Sequence, residues 1–154
     1  MISITSYFCN SRREDFVEII DGLNYTLPDS HYINGAMELN INGVAVIDRS
    51  MWDLIDQLWM YIVTMLRNLK TSGTAKFSFP DQALKFTCER IGRGMVRVAS
   101  YPPEGPIVAV TNEADLVSAL KKSGIAFFKV MRRLDSKHRK DYDELVRELE
   151  QVSQ

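Results

Sequence analysis

Apolar and polar residues follow a helical period most clearly in residues 50–69, "SMWDLIDQLWMYIVTMLRNL". At about 100° per residue, one half of this helix is apolar and the other is largely polar. The apolar half consists of Trp52, Leu54, Ile55, Leu58, Trp59, Ile62, Val63, Met65, Leu66 and Leu69. The other half consists of Asp53, Asp56, Gln57, Thr64, Arg67 and Asn68, with Met60 and Tyr61. A bilayer span is apolar on all sides, so the pattern predicts a core helix lying across a sheet.

The ends of this helix also carry signals. Ser50 followed by Asp53 resembles a capping box with a shorter acid, and Asp53 and Asp56 suit the positive helix N-terminus. Gly73 follows the last apolar residue, where a left-handed C-terminal cap is expected. A second interpretation stays open, in which Trp52 and Trp59 form the aromatic wall of a small-ligand site.

Period-two alternation predicts strands on both sides of the helix. "MISITSYF" indicates a first strand, and "MELNINGVAVID" predicts a hairpin, since Asn42-Gly43 suits a two-residue turn with positive φ. "TAKFSFPDQALKFTCE" predicts a second hairpin, and "GMVRVAS" and "PIVAV" two further strands. Residues 24–36 are a polar, turn-rich connection, whereas residues 11–23 fit either a helix or a strand.

The C-terminal part is predicted to be helical from Thr111 onward. Leu116, Leu120, Phe127, Val130, Met131 and Leu134 share one face, and "DYDELVRELEQV" forms a last amphipathic helix. The order of elements predicts an α+β fold, with an antiparallel sheet built from hairpins and covered on one face by the central and C-terminal helices. We expect residues 1–154 to form a single globular domain.

Composition indicates an ordinary globular protein. Charged residues make up 25% and hydrophobic residues 45% of the 154 residues, and the net charge is −1. Cys9 and Cys88 have no CxxC partner and are expected to be buried free thiols rather than a bridge. The N-terminus turns polar too early for a secretory signal. We therefore expect a cytoplasmic protein that does not act at a membrane.

Residue types that support catalysis or metal binding do not occur in recognisable patterns. His31 and His138 are isolated, and there is no HExxH, CxxC or GxSxG motif. Asp53 and Asp56 lie one helical turn apart and would be able to share a proton, but favouring the helix dipole is the simpler role. The sequence therefore predicts no enzyme, no metal and no cofactor.

The charges are unevenly distributed. Between Glu14 and Asp56, nine acids accompany one base, a net charge of −8, whereas between Lys76 and Lys140 thirteen bases accompany six acids, a net charge of +7. Such asymmetry concerns partners rather than fold.

The basic part of the chain supports an alternative hypothesis, a nucleic-acid-binding module. Its candidates are Arg90, Arg93 and Arg97 in "RIGRGMVRV" and the helix face formed by Lys121, Lys122, Lys129, Arg132 and Arg133. The exposed side of this helix carries no aromatic residue for base stacking. Binding to nucleic acid is therefore expected to be weak.

The acidic part combines carboxylates with aromatic residues, which suits a surface that binds a basic protein. Charges steer the encounter, and buried aromatic residues supply most of the binding energy. The predicted partner-binding residues are Glu14, Asp15, Glu18, Asp21, Tyr25, Asp29 and Tyr32.

The runs "ELNINGVAVIDRSMWDLIDQLWMYIV" and "FSFPDQALKF", within residues 38–86, resemble small α+β immunity proteins of bacterial polymorphic toxin systems, of the contact-dependent inhibition or type VI secretion type. The resemblance implies a cytosolic, non-enzymatic protein that covers the active site of one cognate toxin. If that toxin acts on nucleic acid, its site is cationic, and the acidic surface is its expected complement. The resemblance carries over no functional residue, and monomer and homodimer both stay open.

Overall fold

The computed structural model describes residues 1–152. Within this range the chain forms three α-helices and two 3₁₀ turns, the latter at Arg49–Met51 and Ser136–His138. The helices are α1 (Ile55–Ser72), α2 (Glu113–Leu134) and α3 (Arg139–Glu150). Among residues 1–152, none of the helices combines the length and the hydrophobicity that a membrane span requires.

The strands of residues 1–152 form two antiparallel sheets, which confirms the α+β class but divides the strands differently from the single sheet predicted. The first sheet contains β1 (Ile2–Phe8), β2 (Val17–Glu18), β3 (Asn34–Ile41), β4 (Val44–Ile47) and β5 (Asp53–Leu54). The second sheet contains β6 (Thr74–Ser78), β7 (Lys85–Gly92), β8 (Met95–Ser100) and β9 (Ile107–Asn112), paired in that order.

Local turn chemistry placed the hairpins correctly. Asn42 and Gly43 both have positive φ, 50° and 84°, and connect β3 to β4 as predicted. The hairpin from β6 to β7 pairs Phe77 with Phe86. A two-residue loop such as Asn42-Gly43 matches the right-handed twist of the strands that it joins.

The start of α1 differs from the prediction. The helix begins at Ile55, and Asp53 belongs to β5, where it pairs with Gly35 of β3. The Asp53 side chain accepts hydrogen bonds from the backbone N–H groups of Leu54 (2.7 Å), Asp81 (3.0 Å) and Gln82 (2.9 Å). The predicted capping box and the predicted dipole role of Asp53 are therefore wrong, because this carboxylate is used by a turn far away in the sequence.

The end of α1 agrees with the sequence. Gly73 has a φ of 74°, and its N–H donates to the Leu69 carbonyl at 2.8 Å. This is the left-handed cap that glycine adopts without a steric penalty.

Trp59 lies at the centre of the hydrophobic core. Its side chain is fully buried, its Nε1–H donates to Ser6 Oγ at 2.9 Å, and its ring stacks on Phe127 at 5.8 Å between centroids. Gly124 of α2 lets this contact form, since a Cβ there would lie 3.0 Å from the Trp59 ring and 2.8 Å from the Leu149 side chain. The prediction that Trp59 is a core residue is confirmed.

Residues 11–23 do not form a helix. They form a turn followed by the two-residue strand β2, which pairs with the end of β1 through Tyr7 opposite Glu18. Arg13 and Asp15 have φ values of 60° and 52°, which a continuous right-handed helix does not allow. This turn begins the loop region that contains the candidate site.

Candidate partner-binding cleft

A cleft of about 400 Å³ lies between the end of β1, the turn after it and the loop that leads into β3. Its volume is within the range of small binding pockets. The lining residues are Phe8, Cys9, Asn10, Ser11, Arg13, Tyr25, Leu27, Pro28, Asp29, Tyr32, Ile33, Asn34, Leu54 and Asp81.

The inner wall of the cleft is apolar. The rings of Phe8 and Tyr25 stack in nearly parallel planes at 4.7 Å between centroids, and Ile33 is buried beside them. Cys9 is buried as a free thiol, as predicted, and burial raises the pKa of this thiol. A thiol whose pKa is raised by burial is a poor nucleophile, so we assign it a packing role.

A strained turn over residues 10–15 forms one side of the cleft. The Asn10 side-chain oxygen accepts from the N–H groups of Arg12 (3.1 Å) and Glu14 (3.0 Å), and its amide donates to Asp15 at 3.0 Å. These bonds hold Arg13 and Asp15 at positive φ. Strained backbone conformations of this type persist only where the surroundings enforce them, and they concentrate at functional sites.

Arg13 carries an unsatisfied hydrogen-bond donor into this region. Its guanidinium lies 4.0 Å from the centroid of the Trp52 ring, and its Nη1 donates to the Ser11 carbonyl at 2.6 Å. Its Nε is buried and has no hydrogen-bond partner within residues 1–152. A buried donor without an acceptor is unfavourable, so this position of Arg13 reduces the stability of the turn.

The rim of the cleft is acidic and aromatic. Tyr32 is 64% exposed, more than the other exposed aromatic residues, Tyr61 (38%) and Tyr101 (37%). Asp29 Oδ1 accepts from the His31 N–H at 2.8 Å, which fixes the turn that presents both residues. Asp81, from the turn between β6 and β7, completes the rim on the far side.

The structure gathers three of the seven predicted residues, Tyr25, Asp29 and Tyr32, around this cleft. Glu14 and Asp15 are exposed on the strained turn beside it. Glu18 on β2 and Asp21 in the next turn are exposed but do not line it. Three of the predicted residues therefore line a cleft, and two of the predicted acids, Glu14 and Asp15, lie next to it.

Sequence reasoning missed Arg13 and Asp81 and placed Trp52 wrongly. Trp52 precedes α1 and is half-buried under Arg13, so it is not on the core face of a helix. The signal for Arg13 in the sequence was the basic pair Arg12-Arg13, which lies immediately before the acidic part that begins at Glu14. The ligand wall formed jointly by the two tryptophans loses support, because Trp59 is fully buried.

The basic residues considered for nucleic-acid binding are largely engaged in other contacts. Arg90 makes a bidentate pair with Glu113, at 2.7 and 3.0 Å, and Arg132 donates to Asp143 at 2.6 Å. Lys121 Nζ donates to the Glu150 carbonyl at 3.3 Å. These contacts take part of the basic helix face away from phosphates.

A second group of ionisable side chains lies where α2 meets α3. Asp135 is buried and accepts from Tyr142 Oη at 2.7 Å, and His138 Nδ1 lies 3.0 Å from the same carboxylate oxygen. The pKa of Asp56 on α1 is raised, mainly because the carboxyl group is buried and also because the negative charge of Asp135 is near. Asp56 Oδ1 has no hydrogen-bond partner within residues 1–152. No group of three His, Cys, Asp or Glu residues in this range is arranged to hold a metal ion.

Comparison with protein-family models, curated proteins and solved structures finds no match to this chain. The resemblance of residues 38–86 to immunity proteins therefore stays a prediction.

Proposed function

We propose that this protein is a non-enzymatic, cytoplasmic immunity protein that binds and neutralises a cognate bacterial toxin domain through the cleft and its acidic rim. The observation that carries the proposal is the position of Tyr25, Asp29 and Tyr32 around one cleft, beside exposed Glu14 and Asp15. This is the combination of aromatic anchor and surrounding charge that protein interfaces use.

The charge of this surface fits a toxin with a cationic active site. An enzyme that cleaves nucleic acid holds phosphates with basic side chains, and an inhibitor competes best by presenting carboxylates in their place. The rim acids would attract the toxin, while the exposed ring of Tyr32 would supply contact area with few rotatable bonds.

The strained turn supports the proposal in a further way. The Asn10 hydrogen bonds fix the backbone that presents Glu14 and Asp15 before any partner arrives. A surface that is ordered in advance loses less conformational freedom on binding.

Growth rescue tests the proposed function directly. The probe is the toxin domain encoded beside this protein's gene, expressed from an inducible promoter with and without this protein. Rescue by the wild-type chain, and loss of rescue in a folded Asp29→Lys/Tyr32→Ala variant, would support the proposal. Absence of a neighbouring toxin gene, or equal rescue by an unrelated acidic protein, would contradict it.

A further inference from the structure

The edge strand β6 lies beside a groove that the proposed function does not use. The groove has a volume of about 310 Å³ and runs between β6 and α1, with Tyr61, Met65 and Phe77 as its apolar surface. Tyr61 is 38% exposed, and its ring meets Phe77 edge-on at 6.1 Å between centroids. The groove thus combines an open strand edge with an apolar wall.

The backbone of β6 directs hydrogen-bonding groups toward this open side. β6 pairs with β7 and with no other strand of residues 1–152. Two hydrogen bonds at the ends of the β6–β7 pair show which residues of β6 bond to β7. Phe79 N–H donates to the Leu84 carbonyl and Arg90 N–H donates to the Gly73 carbonyl, each at 2.8 Å. Odd-numbered residues therefore bond to β7, and even-numbered residues point their N–H and C=O groups outward.

Two of these outward-facing residues are available for pairing. The Thr74 carbonyl already accepts from Ser72 Oγ at 3.0 Å, which leaves Lys76 and Ser78 as the centre of the open edge. An unpaired edge of this type is a template for an additional strand. Peptide-binding domains use the same arrangement, in which the backbone supplies affinity and pockets for alternate side chains supply specificity.

Charge indicates which kind of strand fits. Lys76 and Lys85 are both exposed on the outer face of the second sheet, and Lys85 is opposite Ser78 in the register. The nearest acidic residue along these paired strands is Glu89, which lies opposite Thr74. Glu89 already forms an ion pair with Arg97 at 3.7 Å. An added strand next to β6 with carboxylates on its outer face would place them beside Lys76, the lysine on the edge strand itself.

We propose that the β6 edge binds an extended segment of another protein in which acidic and aliphatic residues alternate. The aliphatic side chains enter the groove formed by Tyr61, Met65 and Phe77, and the carboxylates face Lys76. Pairing of β6 with a second copy of itself would bring two Lys76 side chains close together, and like charges across a strand pair are destabilising. This surface is separate from the cleft, so the proposal stands independently of the toxin assignment.

A synthetic peptide tests this assignment. The probe is fluorescein-labelled Glu-Val-Asp-Val-Glu-Val, titrated with the full chain and followed by anisotropy and by backbone amide shifts. We expect saturable binding with the largest shifts at Lys76 and Ser78. The matched peptide Lys-Val-Lys-Val-Lys-Val should bind at least tenfold more weakly.

Three variants separate backbone pairing from general charge attraction, since Lys76→Pro changes the charge less than Lys76→Glu does but also removes a backbone donor. Lys76→Pro removes an outward N–H, which an edge strand tolerates, and should abolish binding, whereas Lys76→Glu should weaken it at least tenfold. Lys129→Glu makes the same charge change at an exposed position of α2 and should change the peptide affinity by less than twofold. If Lys76→Pro does not fold, Lys76→Glu and the amide shifts decide.

Three results would overturn the proposal. They are no saturable binding at millimolar peptide, equal binding of the lysine peptide, or a wild-type dimer that Lys76→Pro dissociates. The last result would assign the edge to a second copy of the chain. None of them depends on whether a cognate toxin exists, and growth rescue tests that question separately.

Discussion

Asp53 shows how a single buried carboxylate joins distant parts of the chain. It is 1% exposed and accepts backbone N–H bonds from its own strand and from the turn between β6 and β7. It therefore ties the first sheet to the hairpin that carries Asp81 at the cleft rim. Hydrogen bonds to a charged acceptor contribute roughly 1.5–3 kcal/mol each.

We expect Asp53→Ala to lower the free energy of unfolding by about 3 kcal/mol or more, because three N–H groups lose their acceptor. Urea unfolding measures this value. Asp81→Ala is the control, since the bonds from position 81 use its backbone N–H, and it should change stability by less than about 1 kcal/mol. A loss below 1 kcal/mol in Asp53→Ala would show that the turn holds without this carboxylate.

Asp56 should make stability depend on pH in the opposite sense to a paired acid. Because its pKa is raised in the folded protein, the folded state holds the proton more tightly than the unfolded chain. Stability from this group is thus fully present below the unfolded pKa of about 3.9 and is lost as the pH rises through the folded pKa. Asp135 and His138 are the charged neighbours that modulate it.

Asp56→Asn should therefore stabilise the protein at pH 7, by roughly 1 kcal/mol, since the amide is uncharged and removes a negative charge that burial disfavours. The advantage should fade as the pH approaches 4. Thermal unfolding of both proteins across pH 4–7 provides the comparison. A variant that is less stable at pH 7, or an advantage that grows on acidification, would contradict the assignment.

At the scale of elements, Gly35 sets how closely α1 approaches the first sheet. A Cβ at this position would lie 2.1 Å from the Tyr7 carbonyl oxygen and 2.8 Å from Ile55 Cβ. Both are fixed, one in the backbone of β1 and one at the first turn of α1. Only glycine allows this approach without moving an element.

Gly35→Ala should thus destabilise the protein by about 3 kcal/mol, at the upper end for overpacking. Gly124→Ala is the matched comparison. Its new Cβ lies 2.8 Å from the flexible end of Leu149 and 3.0 Å from the Trp59 ring, so these side chains have to shift. The nearest atoms include no backbone, and the higher helix propensity of alanine offsets part of the strain. Chemical denaturation of both variants measures the difference, and equal effects would show that β1 and α1 can separate at no large cost.

The sequence predicted elements whose signals are local. Asn42-Gly43 identified a hairpin and Gly73 a helix end, because each depends on the φ of one or two residues. The predicted N-terminus of α1 was wrong because the Asp53 carboxylate accepts hydrogen bonds from Asp81 and Gln82, which lie far away in the sequence. Such a contact competes with local capping and leaves no periodic trace.

The cleft followed the same division. The aromatic and acidic composition of residues 14–32 marked the correct region, but it did not reveal which members meet. Tyr25 reaches the cleft because its ring stacks on Phe8 of β1, whereas Glu18 is drawn away by pairing with Tyr7. The division into two sheets was equally hidden, as it depends on which strands pair over long distances.

For the whole molecule, the distribution of charge predicts weak binding to nucleic acid. Arg90, Arg132 and Lys121 already bond within the protein, and the acidic loops repel phosphates from their side. Titration of generic RNA and DNA at about 150 mM salt should give affinities in the non-specific range of roughly 10⁻⁴ to 10⁻⁶ M. Submicromolar binding with a steep salt dependence would favour a nucleic-acid-binding module instead.

The most direct test of the proposed toxin binding is the affinity of charge-reversal variants for the proposed cognate toxin domain, measured by isothermal titration calorimetry. We predict that Asp15→Lys and Asp29→Lys each weaken the complex at least tenfold, or about 1.4 kcal/mol. Lys122→Glu and Lys129→Glu should matter less, and all four should keep the wild-type melting temperature within a few degrees. Sensitivity confined to the two lysines would move the interface to α2, and a toxin that binds all variants equally would contradict the account.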